Sequence, residues 1–176
     1  MTSPGVVTTR VPEEVAIRPA ERADLLEVHR IERASFPQPW PYQAFAGFLA
    51  EPGFLVAVGD QVAGDAGTVG EGDVRGFVVA DVVSEFGRTV GHVKDLAVAP
   101  EWRGRGIGSR LLERALSVLV AGGAGRAKLE VRESNEGAKE LYARFGFGPN
   151  HVVPGYYEDG EDALVLVADL AGPGKR

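Results

Sequence analysis

The chain has 176 residues, 44% of them hydrophobic and 25% charged, with three histidines, no cysteine and a formal net charge of −6. That supplies the apolar residues for one globular core and argues against disorder, and the acid excess argues against a nucleic-acid footprint. Without cysteine there is no disulfide, thiolate ligand or cysteine nucleophile, and three scattered histidines predict no metal site.

Residues 1–14 show no clear period and read as a tail, as do residues 171–176, so the domain is expected over 15–170. Met1-Thr2-Ser3-Pro4-Gly5 lacks the regions of a secretion signal and no apolar run reaches spanning length, so a cytoplasmic protein without membrane association is expected. Val15 to Arg18 predicts a strand. Ala23 to Ser35 predicts a helix, since Leu25, Val28 and Ile31 or Glu32 recur at helical spacing, and Pro37, Pro39 and Pro41 prevent its continuation. Tyr42 to Glu51 predicts a second helix, ended by Pro52-Gly53. Phe54 to Val58 and Gly76 to Val83 read as strands joined by Gly59 to Arg75, a Gly/Asp-rich segment expected to form a long, mobile hairpin loop. Thr89 to Val98 predicts a third long strand.

The next stretch, Val98-Ala-Pro-Glu-Trp-Arg103-Gly104-Arg105-Gly106-Ile107-Gly108, takes the chain from a strand through a Gly/Arg turn into a helix. Glycines admit a ligand close to backbone N–H groups, a helix N-terminus carries unpaired donors, and Arg103, Arg105 and Arg110 add positive charge against the global sign. A pyrophosphate is the expected ligand. No Gly-Lys-Ser/Thr follows, and the glycine spacing is not that of a dinucleotide fingerprint. Ile107 to Val120 predicts the helix, with Gly122-Gly123 as its left-handed stop. Ala127 to Arg132 predicts a strand and Asn135 to Phe145 a helix, capped by Ser134 or Asn135 and stopped by Gly146. Phe147 to Val153 and Ala163 to Leu170 predict a final strand pair. The order predicts a mixed α/β sheet with helices on both faces, the Gly/Arg turn lying at a strand's C-terminal end.

These motifs resemble those of the GNAT superfamily of N-acetyltransferases, and within it the protein N-terminal acetyltransferases, along roughly residues 15–170. Arg103-x-x-Gly106-x-Gly108 is similar to the superfamily's acetyl-CoA pyrophosphate motif, and Leu129 to Asn135 with Ala138 and Leu141-Tyr142 to its second cofactor motif. Gly155-Tyr-Tyr-Glu-Asp-Gly-Glu-Asp-Ala163 resembles the archaeal and eukaryotic enzymes. Phe36-Pro-Gln-Pro-Trp40 resembles the peptide-contacting loop, and leans to the bacterial ribosomal-protein-alanine enzymes; Gln38 stands where the archaeal and eukaryotic relatives carry Glu. The two leanings leave the subfamily open. A GNAT fold with a mostly antiparallel central sheet is implied.

The resemblance implies acetyl-CoA as co-substrate, held by the backbone around Arg103, Gly104, Arg105, Gly106, Ile107 and Gly108, by strand groups near Leu96, Ala97 and Val98, and by Asn135. The acceptor would be a protein or peptide N-terminus, a ribosomal protein among the candidates, contacted by Phe36, Gln38, Trp40, Tyr156 and Tyr157; whether an auxiliary subunit binds the first helix pair is open. A neutral amine must lose a proton and a thiolate must be stabilised. Glu130, a carboxylate on the face opposite Leu129 and Val131, is the first candidate base, the alternative being a simple ion pair with Lys128 or Arg132 or a side chain that faces water. His92 is the second, on the strand before the Gly/Arg turn. Tyr142 is the expected thiolate stabiliser. With no thiol to carry an acetyl group, direct attack in a ternary complex is expected. Rival readings are acetylation of a small amine or a lysine, and a non-catalytic acyl-CoA-binding domain.

Overall fold

The computed structural model describes residues 15–59 and 73–170, so both tails and most of the Gly59 to Arg75 loop lie outside the described residues. In chain order the elements are β1 (Val15–Pro19), α1 (Leu25–Ser35), α2 (Tyr42–Gly47), β2 (Gly53–Gly59), β3 (Val74–Glu85), β4 (Arg88–Val98), α3 (Ile107–Ala121), β5 (Arg126–Arg132), α4 (Glu136–Arg144), β6 (Gly148–Val153) and β7 (Ala163–Asp169). Residues 22–24 form a 3₁₀ turn rather than the start of α1. There the Asp24 carboxylate accepts from the Glu21 N–H at 2.7 Å and pairs with Arg18 at 2.8 Å. The second helix ends at Gly47, not Glu51. Beyond it the chain makes successive turns, Phe48 N–H to Phe45 O and Glu51 N–H to Phe48 O, which place Phe48 against Trp40 at 5.8 Å between ring centroids.

Seven strands form one sheet in the order β1-β2-β3-β4-β5-β7-β6, antiparallel except for the β4–β5 pair. The helix α3 crosses between those two parallel strands, as a βαβ unit requires. It buries Ile107, Leu111, Leu112, Ala115 and Leu119 with Leu55, Val78 and Leu129, while Leu25, Val28, Ile31 and Phe45 from α1 and α2 pack with Phe54, Phe77 and Ala97 on the opposite face. Helices therefore cover both faces. Gly123, at φ +92°, ends α3, and the Ala124 N–H reaches back to Leu119 O, the left-handed stop expected from the glycine pair.

Two irregularities shape the centre of the sheet. The strands β4 and β5 pair only at Gly91–Ala127 and His92–Lys128, so beyond them the two strands part. Opposite β3, the register shifts between Val79–Asp95 and Ala80–Val93, which leaves Lys94 as the extra residue of a β-bulge. The bulge resets the alternation: Val93 joins the α3 core and Ala97 the α1 core. Asp95 thereby comes onto the side of α1.

Candidate active site

Where β4 and β5 part, a cleft of about 560 Å³ opens between the end of β4, the start of α3 and the start of α4. Leu96, Ala97, Val98, Arg103, Gly104, Gly106, Ile107, Gly108, Asn135 and Tyr142 line it, so ten of the eleven residues expected at the cofactor meet here. The exception is Arg105, whose guanidinium stacks on Trp102 at 4.6 Å from the ring centroid. Gly104 and Gly106 have φ of +75° and +82°, and a Cβ on either would meet no protein atom within 4 Å, so the turn needs glycine and keeps its backbone open. No side chain caps α3, which leaves its first-turn N–H groups without intrahelical partners. Arg103 is fixed by Nε donating to Val98 O at 2.9 Å and a guanidinium N–H to Ser35 Oγ at 3.0 Å. Asn135 caps α4, its Oδ1 accepting from the Ala138 N–H at 3.1 Å.

The cleft leads to a chamber of about 140 Å³ lined by residues from α1, the α1–α2 loop, β4, β5, α4 and the β6–β7 loop. Tyr142 lines both cavities. Its hydroxyl is pushed up by burial first, then by the negative charge of Asp95, so the phenol is protonated at neutral pH. Glu130 faces the chamber, and Oε2 lies 2.7 Å from His92 Nε2. Burial pushes this carboxyl up, but the hydrogen bond and charge of His92, with Lys128, outweigh it and hold the group below the ordinary glutamate range. The simple ion pairs considered from sequence are made elsewhere: Lys128 binds Glu85, and Arg132 binds Asp159 at 2.8 Å and Glu161 at 3.4 Å. His92 is not among the residues lining the chamber and meets Glu130 from outside it.

Phe36, Gln38, Trp40 and Tyr157 line the chamber. Tyr156 does not: it stands half exposed, edge-on to Tyr157 at 5.0 Å, in a neighbouring groove that it shares with Glu130. Three residues not singled out from sequence complete the site. Arg132 binds the β6–β7 loop through Asp159 and Glu161, stacks over Tyr157 at 4.0 Å and donates to Gln38 Oε1 at 3.3 Å, so one guanidinium ties both loops together. Glu32 and Asp95 form the chamber's floor. A charged residue on the apolar stripe of α1 was a signal for Glu32, whereas Asp95 had none, because only the bulge turns it this way. Among the described residues no group of three or more His, Cys, Asp or Glu is placed to hold a metal ion.

A parted pair of parallel strands, an uncapped helix start beside the opening and a chamber beyond it leave a place suited to a long phosphorylated ligand. The profile of the acetyltransferase (GNAT) family matches residues 25–147, and the chain belongs to that family. It is 32% identical over 163 residues to an N-alpha-acetyltransferase of Sulfolobus acidocaldarius, covering 88% of this chain and 92% of that protein. To a putative ribosomal protein bS18-alanine N-acetyltransferase of Bacillus subtilis it is 31% identical over 157 residues, covering 87% and 94%. The crystal structure of the Escherichia coli ribosomal-protein-S18-alanine N-acetyltransferase superposes with a TM-score of 0.71 at 27% identity, covering 93% of this chain and 99% of that one. The protein is thus an acetyl-CoA-dependent N-acetyltransferase of GNAT type. Archaeal and bacterial relatives match almost equally, so identity does not separate the two subfamilies.

Proposed function

We propose that the chain transfers the acetyl group of acetyl-CoA to the α-amine at the N-terminus of a protein or peptide. The observation that carries this reading is the pair of facing walls of the chamber. Phe36, Gln38 and Trp40 form one wall and Tyr157 the other, and Arg132 joins them. A chain end can enter such a space, whereas an internal lysine must bring backbone that continues in both directions. The proton balance agrees with it. Neutralising an amine at pH 7 costs about 1.4 kcal/mol for an α-amine of pKa about 8 and about 4.6 for lysine at about 10.4. The names of the archaeal and bacterial relatives point the same way.

Acetyl-CoA supplies the acetyl group and departs as its thiol. Open amides at Gly106 to Ser109 and the Arg103 side chain are suited to its pyrophosphate, and the edge of β4 at Leu96 to Val98 to its pantetheine arm. Glu130, oriented by His92, accepts the proton that the amine loses as the N–C bond forms. Tyr142 donates its proton to sulfur as the C–S bond breaks. Attack is direct, since the chain offers no thiol to carry the acetyl group.

The test is incubation with acetyl-CoA and peptides that begin with a small residue such as Ala or Ser, read by mass spectrometry. Modification of the α-amine is expected, with none on N-terminally blocked peptides and a severe loss in Tyr157→Ala. Modification mainly at internal lysines, or equal turnover of blocked peptides, overturns the assignment.

A further inference from the structure

Two acids line the floor of the chamber, and neither forms an ion pair with a cation among the described residues. Glu32, on α1, is 1% exposed, and its Oε1 accepts the Trp40 N–H at 2.9 Å. Its Oε2 and Oδ2 of Asp95 are both buried, and neither meets an N–H or O–H donor among the described residues. Yet the two carboxyls line one chamber and act on each other's charge. Two ionised carboxylates in that position would repel and leave both oxygens unsatisfied at a cost of several kcal/mol. A proton between them satisfies both oxygens at once.

We propose that Glu32 and Asp95 hold one proton between their carboxyls, and that this shared proton positions Trp40, making the two acids positioning residues for the acceptor wall of the chamber. The neighbouring charges supply no other solution. On β4, Lys94 pairs with Asp81 of β3 at 3.6 Å; on β5, Glu130 is engaged by His92 and Arg132 by Asp159 and Glu161. Tyr142 of α4 and Tyr157 of the β6–β7 loop are both held protonated, the latter pushed up to about 12 by burial. Burial pushes Asp95 well above the ordinary carboxyl range, with the charge of Glu32 adding to it, and burial pushes Glu32 the same way against the hydrogen bond from Trp40.

The link to function runs through Trp40. Its backbone is anchored only eight residues from Glu32, and its ring packs on Phe45 at 5.5 Å and Phe48 at 5.8 Å. With the proton in place, Glu32 can stay buried and hold that anchor. Loss of the proton puts two negative charges under the wall and draws water to them, which frees the loop from Phe36 to Trp40. The single charge that the protonated pair retains also acts on Tyr142, opposing loss of its hydroxyl proton. The effect on the acceptor rests on the N-terminal acetyltransferase reading; the shared proton does not.

The test has two arms on the full chain. Infrared difference spectra of wild type minus Glu32→Gln and wild type minus Asp95→Asn, taken at pH 6 without any substrate, should show the carbonyl stretch of a protonated carboxyl that both variants lack. In the second arm, Glu32→Ala should raise the KM for an Ala-starting peptide about 10-fold, the loss of a buried hydrogen bond, with the KM for acetyl-CoA unchanged. Glu32→Gln, whose amide can accept from Trp40 and donate to Asp95, should restore most of it. Absence of the infrared band in wild type, or its persistence in both variants, overturns the shared proton whatever amine the enzyme prefers. A Glu32→Gln variant as impaired in peptide KM as Glu32→Ala overturns the positioning role. Should Glu32→Ala fail to fold, the infrared arm still decides the shared proton, and a peptide KM for Glu32→Gln about 10-fold or more above wild type overturns the positioning role.

Discussion

Glu130 is a carboxylate that its neighbours keep ionised, and His92 contributes most to that against the cost of burial. A base held below the ordinary glutamate range owes its value to position: it faces the chamber while His92 fixes its orientation from behind. Glu130→Gln should lower kcat by about 10²- to 10⁴-fold, as expected for loss of a general base, while leaving the KM for acetyl-CoA nearly unchanged. His92→Ala should cost less. Equal kcat for wild type and Glu130→Gln across pH 6 to 9 would remove the carboxylate from the reaction. Asp95 shows the opposite behaviour. A carboxyl raised on folding gives stability that is complete below its unfolded pKa, about 4, and that declines as pH rises toward the folded value. Asp95→Asn removes that proton uptake, so the variant should gain on wild type with rising pH, by up to about 1.4 kcal/mol per pH unit. Thermal unfolding of both proteins from pH 5 to 9 measures the gain, and parallel curves would contradict it.

Among the elements, the start of α3 is the part proposed to hold the donor. Strand β4 delivers the turn, Pro100 to Trp102 form a short 3₁₀ segment, and Gly104 and Gly106 take conformations that other residues avoid. The pattern of glycines and arginines made this element legible in the sequence because its conformation depends on glycine, and backbone freedom is written directly in the residue type. A methyl group at Gly106 would project into open space, so Gly106→Ala should fold at a cost of about 1–2 kcal/mol for the left-handed conformation. It should nevertheless bind acetyl-CoA about 10-fold or more weakly, because displacing one charged hydrogen bond forfeits about 1.5–3 kcal/mol. Calorimetric titration of the folded variant gives the answer, and unchanged affinity would place the phosphate elsewhere. The second helix shows the limit of such reading. Its apolar residues continue past Gly47, but the aromatic packing of Trp40, Phe45 and Phe48 turns the chain early.

At the scale of the whole molecule, the sheet sets the distances between these parts. Gly53 lies opposite Ala80, and a Cβ there would fall 2.1 Å from Ala80 O, so Gly53→Ala must force β2 and β3 apart. A loss of about 1–3 kcal/mol is expected, read as a lowered Tm with acetyl-CoA affinity kept in the folded fraction; an unchanged Tm would show that the sheet yields freely. The sequence alone determined the succession of strands and helices, the glycine turn, the stops of α3 and α4, the cap of α4, and Glu130 and Tyr142 as candidates, since periodicity, turn chemistry and motif spacing are local properties. Tertiary structure decided what those residues meet. The parting of β4 from β5 opens the cleft, the bulge at Lys94 carries Asp95 to Glu32, and Arg132 joins two loops that are far apart in the chain. Strand register and the contacts of long side chains depend on pairings between distant segments, and no local pattern encodes them.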